Sequence, residues 1–213
     1  MDWLASMSLA QNILTTLLTR LAMLALALVS SVLLARLLGP EGRGLFALVL
    51  LLPELARSFG LLGFDQANTV YAGLEPENRR ALVGQSTVIA SVLGSGIALA
   101  GIAFFVLRVP GSQTFIHGPL WLYVLPFAVI PGALLSEYWS SVIRGMNRIA
   151  LLNAVEVGMK VTSLGLVLAF VGWLHLDVGG AVWADAIITF GGVFVMAFLL
   201  FMGGSVTARL LAE

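Results

Sequence analysis

The sequence predicts an all-α, polytopic transmembrane bundle, and three observations carry that prediction. Of 213 residues, 60% are hydrophobic and only 10% charged, with mean hydropathy +1.03, where ordinary soluble chains carry roughly 25% charged residues. The apolar residues gather in runs that match or exceed the about 20 positions a spanning helix needs, and these runs fill nearly the whole chain. The runs are evenly apolar rather than alternating, which excludes barrel strands. Helices then remain, because a bilayer offers backbone groups no water partner and admits only helices or closed barrels.

Six hydrophobic blocks follow one another at about 13–37, 44–70, 81–107, 119–143, 149–174 and 178–203, separated by short breaks bearing Gly, Pro or charge. Residues 1–12, MDWLASMSLAQN, have an acid and no basic n-region, and the run after them is too long for a signal peptide. The first block therefore reads as an uncleaved span. Trp3, Leu4 and Met7 before it form one face of a short interfacial helix or belong to a disordered terminus. Residues 13–208 make one six-helix unit, and 209–213 are a tail or the start of a linker. Pro53 in the second block and Pro126 and Pro131 in the fourth each remove a helix hydrogen bond, so they are the expected hinges. The glycines, 23 in all and including GSGIALAG at 94–101, read as close-packing faces.

With the N-terminus inside, Arg79, Arg80, Arg144, Arg148 and Arg209 lie on the cytoplasmic side, against Arg36, Arg43 and Arg108 outside. That distribution favours a cytoplasmic N-terminus in a cytoplasmic (inner) membrane. The loops are too short for an extramembrane domain, and the basic residues form no run, which argues against a nucleic-acid partner. Formal net charge is zero and cysteine is absent, so there is no disulfide framework, thiol nucleophile or Cys-based metal site, and no metal or other cofactor is expected. No P-loop, HExxH pair or GxSxG elbow is present. The expectation is a protein that is not an enzyme.

Ionisable side chains inside spans cost a few kcal/mol unless they find a partner, a wet cavity or a route to the interface. Arg20 lies about 24 Å of helix below Arg36, and Arg57 about 18 Å below Leu45. The two fall within about one helical turn of each other in depth, and two guanidiniums there suit an anionic, phosphate-bearing substrate. Other readings stand beside this one. Glu54 and Arg57, spaced i,i+3, can neutralise each other, and Arg20 can snorkel to the interface. Glu156 and Lys160 have the i,i+4 order of an intrahelical ion pair. Glu137 falls near the inner end of the fourth span, while Asp65 and Asp185 lie where they either line a cavity mouth or meet headgroups.

The stretch SSVLLARLLGPEGRGLFALVLLLPELARSFGLLGFDQANTVYAGL, residues 30–74, resembles the polysaccharide or O-antigen flippases of the multidrug/oligosaccharidyl-lipid/polysaccharide exporter superfamily. The resemblance rests on Leu34, Ala35, Arg36, Leu38, Gly39, Pro40, Gly42, Gly44, Leu45 and Phe46, followed by Gly60, Gly63 and Ala67. PELARSFGLLGFDQA, beginning at Pro53, is also similar to the second span of the related lipid II flippases. By that resemblance Arg57, and more loosely Arg20, would line a central cavity and meet the pyrophosphate of a polyprenyl-linked glycan. It implies translocation of a lipid-linked oligosaccharide by alternating access, with membrane lipid holding the tail. Residues 81–213 match only in hydropathy and in the basic connection Arg144 to Arg148. Family members have two six-helix lobes, so the chain would be the N-terminal lobe, completed either by a missing C-terminal lobe or by a second copy. The rivals are a cation-coupled drug exporter of the same superfamily, with Glu54, Asp65 or Asp185 as free acids, and a non-transporting membrane subunit. The sign of the cavity's net charge separates the two transport readings.

Overall fold

A computed structural model describes the backbone of residues 2–111 and 115–202 and the side chains of 17–111 and 115–201. The side chains of Trp3, Leu4 and Met7, and the tail with Arg209, lie outside the described residues. Among the described residues the chain is mostly helical and has no strand: α1 is Asp2–Leu61, α2 Phe64–Leu74, α3 Arg79–Val106, α4 Trp121–Ala128, α5 Ile130–Gly145, α6 Ile149–Val167 and α7 Asp177–Ala197. Wider π turns extend α6 over Leu168–Trp173 and α7 over Phe198–Met202. Five helical segments are long and apolar enough to cross a membrane, namely Leu17–Leu61, Pro76–Val106, Trp121–Gly145, Ile149–Trp173 and Asp177–Phe201. The protein is a membrane-embedded helical bundle.

The first of these segments is 45 residues long, about 68 Å of helix and more than twice a hydrocarbon core of about 30 Å. It is broken at Gly39, whose φ of 67° and ψ of 178° no helix contains. A side chain is disfavoured at this positive φ, and Pro40 restarts the helix because its own φ is already helical. The break divides the segment into arms 17–38 and 40–61. Along the first arm Thr19, Met23, Leu26, Ser30 and Leu33 form a half-buried stripe at alternating three- and four-residue spacing, while the positions between them are mostly exposed. Such a stripe requires a neighbour along the whole arm. An arm continuing the line of the second would leave the bundle beyond Gly39 and find none; the first arm instead meets the bundle, with Leu34 in the core and Leu37 against Gly172 in the turn that follows α6.

The second arm ends at a second corner, Leu62 (φ 45°) and Gly63 (φ 79°), beyond which α2 continues. A helix end inside a bundle leaves carbonyls without partners. Here the Tyr138 hydroxyl, on the fully buried face of α5, donates to the Gly60 carbonyl at 2.7 Å, and its ring packs against Phe64. Nearby, Asn68 donates to Ser86 at 2.8 Å, Thr69 to the Ser141 carbonyl at 3.1 Å and the Trp139 indole to Thr87 at 3.1 Å. These bonds tie α2 and α3 to α5, where lipid supplies no apolar driving force between helices.

α5 is the central element, packed against α2, α3 and α7. α4 and α5 form one bent rod, interrupted at Val129 between Pro126 and Pro131. Both prolines lack the N–H that would answer the carbonyl four residues earlier. α3 supports the bend with glycine: Gly94 lies directly under Pro131, and Gly101 under the Phe127 ring. Gly192 likewise accommodates Met159, whereas Gly96, Gly158, Gly165 and Gly191 face open space. Close packing thus explains some of the glycines and not others. Gly101→Ala should force the Phe127 ring aside and lower stability by about 1–3 kcal/mol. Gly96→Ala, one turn and a half away on the same helix, should leave the thermal midpoint in detergent unchanged or slightly raised.

Candidate functional site

Three helices begin at one level. Val178 packs over Gly42, and the Trp121 ring over Gly179, so the second arm of α1, α4 and α7 are aligned at the Gly39 end of the bundle. Counting down at about 1.5 Å per residue, Glu54 lies about 18 Å below Gly42, Ala133 about 18 Å below Trp121 and Asp185 about 11 Å below Val178. At this middle depth the helices separate around a cavity of about 390 Å³. Leu50, Pro53, Glu54 and Arg57 line it from α1, Pro126, Val129, Ile130 and Ala133 from the bent rod, and Asp185 and Thr189 from α7. Pro126 and the Val129 interruption, where the rod loses its regularity, both line this space.

Arg57 is held by Glu54 in a two-point pair, with Nη2 donating to Oε1 at 2.6 Å and Nε to Oε2 at 3.2 Å. Both residues stand on one face of one helix, so the pair forms without any other element. Its side chains remain accessible, 31% for Arg57 and 62% for Glu54. Asp185 differs. Its backbone carbonyl accepts the Thr189 hydroxyl at 3.0 Å, but among the described residues its carboxylate has no hydrogen bond or ion pair, only the longer-range fields of Glu54, Arg57 and Lys160. The formal charge of the lining is one cation against two acids, and the cation is already engaged.

The remaining sequence candidates lie around this centre. Glu137, one turn beyond Ala133 on α5, is half-buried and within electrostatic reach of Arg57. Lys160 acts on Asp185 from α6, and Glu156, one turn before it, is not within ion-pair distance of it. Asp65 occupies the first turn of α2, near Tyr138 rather than in the cavity. Pro53 and Pro126 line the cavity, whereas Pro131 is packed on α3. Arg20 stands on the first arm and Arg57 on the second, 19 and 18 residues from Gly39. Arg20, however, is exposed on the outside of the first arm and is not part of the lining. Depth along a helix can be counted from sequence, and direction around it cannot.

Thr189 and the apolar wall residues Leu50, Val129, Ile130 and Ala133 were not singled out by sequence. Thr189 had a signal, since it stands one turn after Asp185 on the same face. The wall residues had none, being ordinary apolar side chains in an apolar chain.

Because each member of the Glu54–Arg57 pair would be left as an isolated charge without the other, Glu54→Gln and Arg57→Met should each lower stability. The double variant should recover part of the loss. A double-mutant cycle on thermal unfolding in detergent should show a coupling of about 0.5–3 kcal/mol, and simple additivity would mean that the pair is not maintained.

No protein-family model, no curated protein and no solved structure matches this chain.

Proposed function

We propose that the chain is a membrane transport protein without enzymatic activity, and that its mid-depth cavity serves cation-coupled export of an organic molecule. The observation carrying this reading is the acid excess: among the described residues Asp185 stands unpaired at a cavity whose one arginine is bound to Glu54. A lone carboxylate in a low-dielectric slab is costly until a cation or a proton meets it. A cycle in which Asp185 takes a cation from one side and releases it to the other gives that cost a use. The bent α4–α5 rod forms the back wall, so a change in its bend alters the cavity directly, with Pro126 and the Val129 interruption as the place of motion and Pro53 opposite them. In this reading the membrane is a cytoplasmic membrane and the Gly39 end faces outward, as the arginine distribution favours.

A second reading is translocation of a lipid-linked oligosaccharide, with the polyprenyl (pyro)phosphate against Arg57 and the tail in lipid. The accessibility of the Arg57 side chain in the cavity supports it. It requires the phosphate to displace Glu54 from a two-point pair and to tolerate Asp185 nearby.

The readings separate in proteoliposomes that carry an imposed proton or sodium gradient. Under the first, gradient-driven efflux of a fluorescent organic cation is lost in Asp185→Asn and persists in Arg57→Ala at reduced rate. Under the second, the gradient moves no organic cation, leaflet exchange of a fluorescent polyprenyl-pyrophosphate glycan is observed, and Arg57→Ala abolishes it. Wild-type vesicles that move neither would refute the transport assignment.

A further inference from the structure

The second arm of α1 lines another space on its opposite side. Leu50, Pro53, Glu54 and Arg57 are the stripe that faces the mid-depth cavity. Glu41, Gly44, Leu45 and Leu48 repeat the same i, i+3, i+4, i+7 spacing nine residues earlier, about two and a half turns away, and so stand on the other face of the helix. With Pro40 and with His117, from the segment before α4, they line a cavity of about 590 Å³. Gly44 keeps it open, since a Cβ there would meet nothing within 4 Å.

The lining is ordered along the membrane normal. Glu41 and His117 lie at the Gly39 end, where the second arm and α4 begin. Leu45 and Leu48 lie about 6 and 11 Å deeper, and Leu48 is 38% exposed. A polar rim above an apolar wall at the edge of a membrane protein matches a phospholipid, headgroup at the interface and acyl chain below. The rim also specifies the headgroup. The backbone N–H of His117 donates to the Tyr123 hydroxyl at 2.8 Å, and its ring Nδ1 is 3.2 Å from the Phe115 carbonyl. A carbonyl only accepts, so Nδ1 carries the proton of the neutral ring and Nε2 is left as an acceptor. The Glu41 carboxylate, which among the described residues has no hydrogen bond or ion pair, is an acceptor too. Arg36 and Arg43 lie outside the lining, with Arg43 over the Phe46 ring. The rim thus offers acceptors and a negative charge, and neither arginine nor lysine.

We propose that this cavity binds a phospholipid with a primary ammonium headgroup, of the phosphatidylethanolamine class, its ammonium held between the Glu41 carboxylate and His117 Nε2 and one acyl chain lying along Leu45 and Leu48. A primary ammonium brings three N–H donors to two acceptors. The trimethylammonium of phosphatidylcholine brings none, and the phosphatidylglycerol headgroup would set its uncompensated negative charge against Glu41. The proposal rests on membrane embedding and not on what the mid-depth cavity transports, so it stands or falls separately from the transport assays.

Native mass spectrometry of the full chain, stripped of lipid in detergent and titrated with lipids of identical acyl chains, tests it. The wild type should retain one phosphatidylethanolamine at several-fold lower lipid concentration than phosphatidylcholine or phosphatidylglycerol, and each N-methyl group added to the headgroup should weaken binding further. This series does not depend on whether any variant folds. Glu41→Gln and His117→Ala should each reduce the preference for phosphatidylethanolamine. Gly44→Leu, which puts a side chain into the open space, should remove the adduct without lowering the thermal midpoint. Glycerophosphoethanolamine, the same headgroup without chains, should bind far more weakly. Equal binding of the ethanolamine and choline lipids by the wild type, or an ethanolamine preference that survives both Glu41→Gln and Gly44→Leu, would overturn the proposal. Binding of the chainless headgroup as tight as that of the lipid would also overturn it, by making the ligand a soluble amine.

Discussion

Within hydrocarbon a backbone group that leaves its helix has no water to turn to, and that constraint governs where this chain departs from regularity. The corner after Leu61 lies beside α5, where the Tyr138 hydroxyl answers the Gly60 carbonyl. The interruption at Val129 lies against α3, whose glycines admit Pro131 and Phe127 close to its backbone. Each break needs a neighbouring helix that either donates a hydrogen bond or offers a surface without side chains. The central position of α5 follows, since it contributes to the first solution and is itself held by the second.

The same constraint applied to side chains locates the site. Glu54 and Arg57 solve their own problem by standing one turn apart on one helix, which makes them a local feature of the sequence. Asp185 has no such local solution, and the bundle supplies only distant charges. An acid placed at mid-depth without a partner is a standing cost that packing alone would remove, for instance by a threonine or alanine. Its position beside the helix bend and opposite the arginine is what turns a charge count into a functional proposal.

The sequence made the all-α membrane class legible because hydropathy averaged over a span is insensitive to local detail. It also made Gly39-Pro40 legible as a helix stop, through glycine's freedom at positive φ and proline's preference for a first helical position. It did not show that the break is confined to a single residue: Gly42 lies within the second arm, against Val178, and Gly44 faces open space. At the site, Glu54, Arg57 and Asp185 could be picked out because charge is rare in such a chain. That Arg57 faces the cavity and Arg20 does not depends on how the helices are rotated against one another. Side-chain interlocking sets that rotation, and in a chain this uniformly apolar the linear order carries little trace of it.

The corner at Gly39 bears on how the protein is made. Its two arms are joined without a long loop, so the 45 residues from Leu17 to Leu61 leave the ribosome as one segment whose apolar arms are parted only by the short tip bearing Arg36, Glu41 and Arg43. Only that short tip separates a first insertion event from a second. A segment more than twice the hydrocarbon thickness with so short a polar tip favours joint entry of the two arms into the bilayer. The seat of the first arm is completed later, since Leu37 near its end meets Gly172 in the π turn after α6, a part of the chain made well after it.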